Sequence, residues 1–107
     1  MDVFQAIAED RRRAILGLLR DREMSVSDVA AQFDVTQPAI SQHLKVLREA
    51  GLVSQRRVGT RHLYTATPEG FADLHTFLAS FLDASLERLK EVAEAEEMSG
   101  GRDAERN

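Results

Sequence analysis

The chain has 107 residues, no cysteine and a formal net charge of −4. This length fits one small domain that leaves part of its apolar surface for a partner, and the lack of cysteine excludes disulfides, thiolate metal sites and a thiol nucleophile. No apolar run is long enough to span a membrane, and the first ten residues lack the order of a secretory signal, so we expect a cytoplasmic protein.

The charge is distributed unevenly along the chain. The net charge is −2 over residues 1–35, +4 over residues 36–66 and −6 over residues 67–107. Because salt screens exposed charges over about 8 Å, the basic middle segment can bind phosphates in spite of the negative total. The middle segment is therefore the candidate for nucleic-acid contact.

Two helices are predicted at the start of the chain. The first is a short amphipathic helix that needs another surface to pack against. The second covers about residues 10–20 and has four residues predicted to be buried, namely Ala14, Ile15, Leu18 and Leu19. Because cations oppose the dipole at a helix start, we expect Arg13 to pair with an acid such as Glu9, Asp10 or Asp34, and Arg11 and Arg12 to contact either an acid or DNA phosphate.

The next predicted helix runs from Ser27, which we expect to cap it, to about Phe33. Asp34 and Val35 form a tight corner after it. The segment from Met24 to Val26, just before the cap, is predicted to be a short strand that pairs with a later hairpin.

The second helix of this helix-turn-helix has signals at both ends. Thr36 can cap it, Pro38 falls in the first turn, and Gly51 supplies the left-handed residue that ends it. One face is apolar, through Ile40, Leu44 and Leu47. The other face is polar, which suits either a helix that reads bases in a DNA major groove or an ordinary solvated surface. Its candidate DNA-contacting residues are Thr36, Gln37, Pro38, Ser41, Gln42, His43 and Lys45. For His43, a phosphate contact and a hydrogen bond to a backbone carbonyl are equally compatible with the sequence.

Two strands follow within residues 53–66, joined through Gly59-Thr60-Arg61, and they predict a β-hairpin with a basic tip. A helix-turn-helix followed by a hairpin is the order of a winged helix, whose wing lies along the DNA backbone or in the minor groove. The wing residues that we expect to contact DNA are Arg56, Arg57, Thr60, Arg61 and His62.

A long final helix is predicted from Thr67 as the cap, with Pro68 in its first turn, to about Met98. Its apolar stripe is longer than a small winged domain can cover, which favours a homodimer with two reading helices about 34 Å apart. The expected dimer-interface residues are Val3, Phe4, Ile7, Phe77, Phe81, Leu82, Leu86 and Leu89. Residues 1–98 would form the DNA-binding and dimerisation domain, and residues 99–107 a disordered tail.

Four motifs are specific as a set: Arg12-Arg13-Ala14-Ile15-Leu16, the stretch TQPAISQHLKVL at residues 36–47, Ala50-Gly51-Leu52-Val53, and Leu63-Tyr64. Together they resemble the ArsR/SmtB family of bacterial repressors, from about Val3 to Leu89. The resemblance implies a mainly α winged helix-turn-helix of order α-α-(β)-α-α-β-β-α. It also implies a homodimer through the terminal helices that represses transcription at a palindromic DNA operator. Members of the family often repress their own operon.

The resemblance also bears on metal binding and on effectors. Zinc-sensing relatives place an Asp-x-His pair early in the final helix, which Asp73 and His75 match, but the second pair would fall on Leu86 and Leu89. We therefore expect no metal and no cofactor, and keep a zinc-responsive repressor using Asp73 and His75 as an alternative. A small-molecule effector of unknown class is compatible with the family.

The residues themselves bear on two further classes of protein. The chain has no nucleophile beside a base and no glycine-rich phosphate loop, so we predict that it is not an enzyme. A winged helix used as a protein-interaction module remains the alternative from a different class, since a fold does not fix a function.

Overall fold

The computed structural model describes the backbone of residues 1–106 and the side chains of residues 1–83, 85 and 87–96. Within this part of the chain, five α-helices and three strands occur, in the order α1 (Val3–Ala6), α2 (Asp10–Asp21), β1 (Met24–Ser25), α3 (Val26–Phe33), α4 (Gln37–Glu49), β2 (Val53–Val58), β3 (Arg61–Ala66) and α5 (Ala72–Arg106). A 3₁₀ turn, Pro68–Phe71, precedes α5. This order confirms the predicted winged helix-turn-helix. The chain forms two compact units, residues 1–74 and the segment from His75 onward.

The core of the first unit gathers the apolar faces of α2, α3 and α4 together with the residues that follow α4. Its completely or almost completely buried side chains are Ile15, Leu19, Val29, Ile40, Leu44, Leu47 and Leu52. On α2 the buried set differs from the prediction, because Ala14 is exposed and Leu18 only half-buried, while Leu16 is buried. Ile15, Leu16 and Leu19 lie at positions i, i+1 and i+4, and Ala14 falls outside that face of the helix.

Ser25, not Ser27, caps α3. The Ser25 hydroxyl accepts a hydrogen bond from the amide of Asp28 at 3.2 Å, and the Asp28 carboxylate accepts one from the Ser25 amide at 3.4 Å. This capping box satisfies two free amides at once, which is why the prediction of Ser27 was wrong. Ser27 instead lies in the first turn, with its hydroxyl 3.2 Å from that of Ser25.

The signals predicted for α4 are confirmed at both ends. The Thr36 hydroxyl accepts from the amide of Ala39 at 3.3 Å, and Pro38 lies in the first turn. Asp34 makes the corner before α4 in the left-handed region, at φ 53°. Gly51, just after α4, has φ 78° and makes the expected left-handed ending.

The sheet has the strand order β1-β3-β2 and is antiparallel throughout. The predicted short strand is confirmed for Met24 and Ser25, which pair with Tyr64 and Leu63 in β3, whereas Val26 begins α3. The hairpin between β2 and β3 has a two-residue turn, Gly59 and Thr60, with Gly59 at φ 63°. Arg61 therefore belongs to β3 and not to the turn in which it was predicted.

The segment before α5 does not follow the prediction. Thr67 makes no side-chain cap, and its buried hydroxyl has no hydrogen-bond partner among the described residues. The first turn is 3₁₀, so the α-helix begins at Ala72 and not at Pro68. Gly70 in this turn lies against the carbonyl of Gly51, and a Cβ atom at residue 70 would overlap that oxygen.

In the second unit, α5 continues as one helix to Arg106 and thus extends past residue 98, where the sequence placed its end. The division of the chain at residue 98 stays a prediction. Exposed apolar side chains follow one side of the helix, namely Phe77, Leu78, Phe81, Leu82, Leu89 and Val92. Within the described residues no helix combines the length and apolar character needed to cross a lipid bilayer.

Candidate DNA interface

Helix α4 turns an exposed polar face to solvent, which we call the reading face: Thr36, Gln37, Pro38, Ser41, Gln42 and Lys45. The opposite side is fixed in the core, since Ile40, Leu44 and Leu47 are completely buried. Because these buried residues set the rotation of the helix, the reading face has a defined direction. Six of the seven residues predicted on this helix thus share one exposed surface.

His43, the seventh residue, lies on a different side of α4. At 3.6 residues per turn it is rotated by about 160° from Ser41 and from Lys45. Its side chain is 21% exposed, and Nε2 lies 3.3 Å from Oε1 of Glu9, the residue just before α2. The observed partner is thus a carboxylate, where the sequence left open a phosphate or a backbone carbonyl.

The two faces of the wing, residues 53–66, use their arginines differently. Arg56 and Arg57 are neighbours on β2, and successive side chains on a strand point to opposite faces. Arg56 donates from Nε and Nη2 to the two carboxylate oxygens of Glu23, both at 2.7 Å. This bidentate pair lowers the pKa of Glu23 and raises the pKa of Arg56.

Arg57 has no acidic partner among the described residues. Its Nε donates to the carbonyl of Gly59 at 2.9 Å, and its side chain is exposed. It lies opposite His62, which is also exposed. This face of the wing therefore carries a cation that is available to an anion.

Arg61 is intermediate between these two cases. Its Nη2 lies 3.2 Å from Oδ2 of Asp28 in the first turn of α3, and both side chains are more than half exposed. The pKa of Asp28 is lowered first by the hydrogen bonds from Ser25 and then by the positive charges of Arg61 and Arg22. A single contact in solvent is weak, so a phosphate can compete for Arg61.

The reading face and the wing are parts of one surface. Ser41 and Tyr64 line two adjoining grooves between α4 and β3, and Arg61 and His62 line the first of these grooves together with Gln37. The second groove is lined also by Lys45 and Arg48. Arg48 is exposed, has no acidic partner among the described residues, and was not predicted as a contact. Its position seven residues after Ser41, two helical turns along the same face, was the available signal.

The three arginines at the start of α2 make contacts within the first unit. Arg13 pairs with Asp10, which confirms the expected ion pair, and donates to the carbonyl of Ile7. Arg12 pairs with Glu9 at 2.8 Å. Arg11 lies over the ring of Phe33, 4.9 Å from its centroid. The cations at the start of this helix are thus accounted for by local partners.

Comparison with known proteins agrees with this geometry. Residues 9–55 match a family model described as bacterial regulatory protein, arsR family. The chain is 40% identical over 93 residues to the HTH-type transcriptional regulator Rv2034 of Mycobacterium tuberculosis, with 87% of each chain covered. This chain belongs to the ArsR family.

Further similarities support the same assignment. The transcriptional repressor SdpR of Bacillus subtilis is 33% identical over 82 residues, which cover 77% of this ArsR-family chain and 91% of SdpR. Among solved structures, the homodimeric winged helix-turn-helix DNA-binding domain of Mb0332 from Mycobacterium bovis, a possible ArsR-family regulator, superposes with a TM-score of 0.62 at 35% identity, covering 80% of each chain. The ArsR-family chain is thus a DNA-binding transcriptional regulator and not an enzyme.

The alternative of zinc regulation rests on Asp73 and His75. Among the side chains that the structure describes, no three His, Asp or Glu residues are grouped as metal ligands. Leu86, one of the positions that replace the second ligand pair, lies outside the described side chains.

Proposed function

We propose that this ArsR-family regulator is a dimeric repressor that binds a palindromic operator, its own promoter included. The reading face of α4 would lie in the major groove, and the wing would lie along the backbone or in the minor groove. The observation that carries the proposal is the continuous surface on which the reading face adjoins the exposed cations of α4 and the wing. Such a surface combines hydrogen-bonding groups for base edges with charges for phosphates.

Base reading is proposed for the middle of the reading face. Gln42 can form two hydrogen bonds to adenine, and Ser41 and Lys45 can bond several bases. A good bidentate contact of this kind discriminates by about 1–3 kcal/mol against the wrong base. Thr36 and Gln37, at the amino end of α4, are placed to hold a phosphate near the free amides of the first turn.

Phosphate contact is proposed for cations without acidic partners. Arg57 on the wing and Lys45 and Arg48 on α4 meet this condition within the described residues. Arg61, Thr60 and His62 stay on the proposed contact surface. Arg56 is a weaker candidate, because a bidentate bond to Glu23 occupies its guanidinium.

Dimerisation is proposed through the apolar side of α5. Phe81 and Leu89 are 61% and 58% exposed in the single chain, and Leu82 and Val92 follow the same side of the helix. Most of the acidic and basic residues in the described part of the helix lie on the other side, so this helix is amphipathic. Large exposed apolar side chains in one row favour a second protein surface, and a second copy is the simplest one.

The residues of α1 that the sequence predicts at the dimer interface differ in their burial. Val3 is only 5% exposed and packs in the core of the first unit, so we leave it out of the proposed interface. Phe4, Ile7 and Phe77 stay predictions. Leu86 lies outside the described side chains.

DNA binding is tested by gel shift with the upstream region of its own gene and by selection from random DNA. We expect a palindromic consensus from the selection. Gln42→Ala should change the preferred bases, whereas Gln32→Ala, the same substitution at an exposed position of α3, should leave them unchanged. Recovery of no consensus would contradict the proposal and favour the protein-interaction alternative.

The dimer is tested by sedimentation of wild type and two variants of α5. Phe81→Asp places a charge on the apolar side and should give a monomer that binds a full operator poorly, because each half-site alone contributes only part of the affinity. Thr76→Asp, an exposed position on the other side of the helix, should remain a dimer. A wild-type chain that sediments as a monomer at the concentrations that shift DNA would contradict this part of the proposal.

A further inference from the structure

Glu9 stands at the cap position of α2 but does not cap it. Its carboxylate accepts no capping hydrogen bond from a backbone amide of the first turn of α2. Instead, Oε2 accepts from Nη1 of Arg12 at 2.8 Å, and Oε1 lies 3.3 Å from Nε2 of His43 on α4. A carboxylate placed to cap a helix is thus used to join two helices.

The Arg12 side chain that holds Glu9 is itself fixed. It is only 11% exposed. Its Nε donates to the carbonyl of Ala6 at 2.6 Å and its Nη2 to that of Gln5 at 3.2 Å, both at the end of α1. A guanidinium with three acceptors has little freedom, so the Glu9 carboxylate is presented to α4 in a defined place.

We propose that Glu9 and His43 are positioning residues that hold α4 in its DNA-binding orientation, and that protonation of His43 strengthens this hold. The inference rests on the proposed role of α4 in the major groove. His43 does not share the reading face, so it acts through the placement of that face. A neutral imidazole can donate from Nε2 to the carboxylate, and a protonated one adds a full positive charge to the same bond.

His43 faces charged groups from the start of α2. The groove that it lines is bordered by Glu9, Asp10 and Arg11 from the start of α2 and by the apolar Val35 from the corner between α3 and α4. Glu9 and Asp10 are also paired with Arg12 and Arg13, and Arg11 is stacked on Phe33. Because a protonated imidazole would add an ionic attraction to the 3.3 Å contact between His43 and Glu9, DNA affinity should rise as the pH falls through the usual range of histidine.

The test is the dissociation constant for operator DNA, measured by fluorescence anisotropy at about pH 8 and about pH 5.5, on either side of the histidine range. For a partly exposed ion pair we expect wild type to bind about two- to five-fold more tightly at the lower pH. Glu9→Gln should show a clearly smaller gain, since only a contribution of His62 on the wing would remain. It should also bind more weakly than wild type at the lower pH, even though removal of a negative charge by itself favours DNA binding. His75→Gln, a matched change at an exposed histidine of α5, should keep the gain.

His43→Gln separates positioning from direct phosphate contact. The amide can still donate to Glu9 but cannot titrate, so this variant should bind like wild type at about pH 8 and show the same reduced gain as Glu9→Gln at about pH 5.5. Its log–log salt slope at the lower pH should equal that of wild type, whereas a lost phosphate contact would reduce the slope by about 0.9. Circular dichroism melting shows that each variant is folded.

The possible failures are distinct. Binding by Glu9→Gln that equals or exceeds that of wild type at the lower pH would overturn this inference and leave the proposed function standing, as would a reduced salt slope in His43→Gln. A wild-type chain that binds no DNA at either pH would overturn the proposed function and this inference with it.

Discussion

Arg56 and Arg57 provide a sharp test of how the wing binds DNA, because they are adjacent residues of the same type with different surroundings. Arg56 is held by Glu23 in a bidentate pair, while Arg57 contacts only a carbonyl of its own turn. We expect Arg57→Gln to remove a phosphate contact. Arg56→Gln, the matched control, should remove none.

The magnitude follows from counterion release. Each phosphate contact contributes about −0.9 to the slope of log K against log salt on duplex DNA. Arg57→Gln should therefore make the slope shallower by about 0.9. Between about 50 and 200 mM salt, the fall in the affinity of this variant should be about 3.5-fold smaller than the fall for wild type. Arg56→Gln should leave the slope within error of wild type, because the native guanidinium stays with Glu23.

Fluorescence anisotropy titrations over a series of salt concentrations measure these slopes, with one operator and one random duplex. Both duplexes should report the same change for Arg57→Gln, because phosphate contacts do not depend on sequence. An equal loss of slope in Arg56→Gln would show that DNA takes Arg56 away from Glu23. An unchanged slope in Arg57→Gln would refute the assignment of this wing face to DNA.

Three further predictions concern stability. Gly17→Ala should stabilise the protein by about 0.5–1 kcal/mol, since it removes a glycine from the interior of α2 where a Cβ meets nothing within 4 Å. Gly70→Ala should destabilise the protein, because the new Cβ atom would overlap the backbone of Gly51. Urea unfolding of the two variants measures both changes, and equal effects would contradict the packing around Gly70. Leu47→Ala should lower the free energy of unfolding by about 2–5 kcal/mol in the same assay, because Leu47 is completely buried. Val58→Ala, at a 45% exposed position, should change it little. Similar losses in the two variants would show that Leu47 is not in the core. Arg56 lowers the pKa of Glu23 from its ordinary 4.5, so the pair stabilises the fold above that pH and the stabilisation is lost as the pH falls below it. Melting temperatures from about pH 5 to 3 should therefore fall more steeply in wild type than in Glu23→Gln. Parallel curves would show that the pair adds nothing to stability.

Much of the fold follows from local signals. Helix α4 could be placed from sequence because each of its end signals acts within one turn of the helix end that it defines. These signals are the Thr36 hydroxyl, the Pro38 ring and the positive φ that Gly51 can adopt. The cap of α3 could not be chosen as safely, because Ser25 and Ser27 both lie near the start of the helix and the reciprocal hydrogen bonds with Asp28 favour Ser25. A reciprocal pattern is a stronger signal than a lone hydroxyl.

The charged contacts of the candidate site could not be predicted from sequence. Glu23 and Arg56 are 33 residues apart, and their pairing depends on where the sheet places β2 relative to the turn before β1. Glu9 and His43 are likewise distant along the chain and meet only because α2 packs on α4. Composition shows that the middle segment is basic, but only the fold shows which cations already have partners.

The contact between Gly51 and Gly70 restricts how this DNA-binding segment can be transplanted. The contact acts in one direction: a Cβ at residue 70 would overlap the Gly51 carbonyl oxygen, whereas a Cβ at residue 51 would meet nothing within 4 Å and is disfavoured only by the positive φ of 78°. A chimaera that takes α4 and the wing from this protein and everything after the wing from a relative would therefore need glycine at the position of residue 70. Recombination between relatives at a junction within residues 51–70 should succeed only where the incoming segment supplies that glycine.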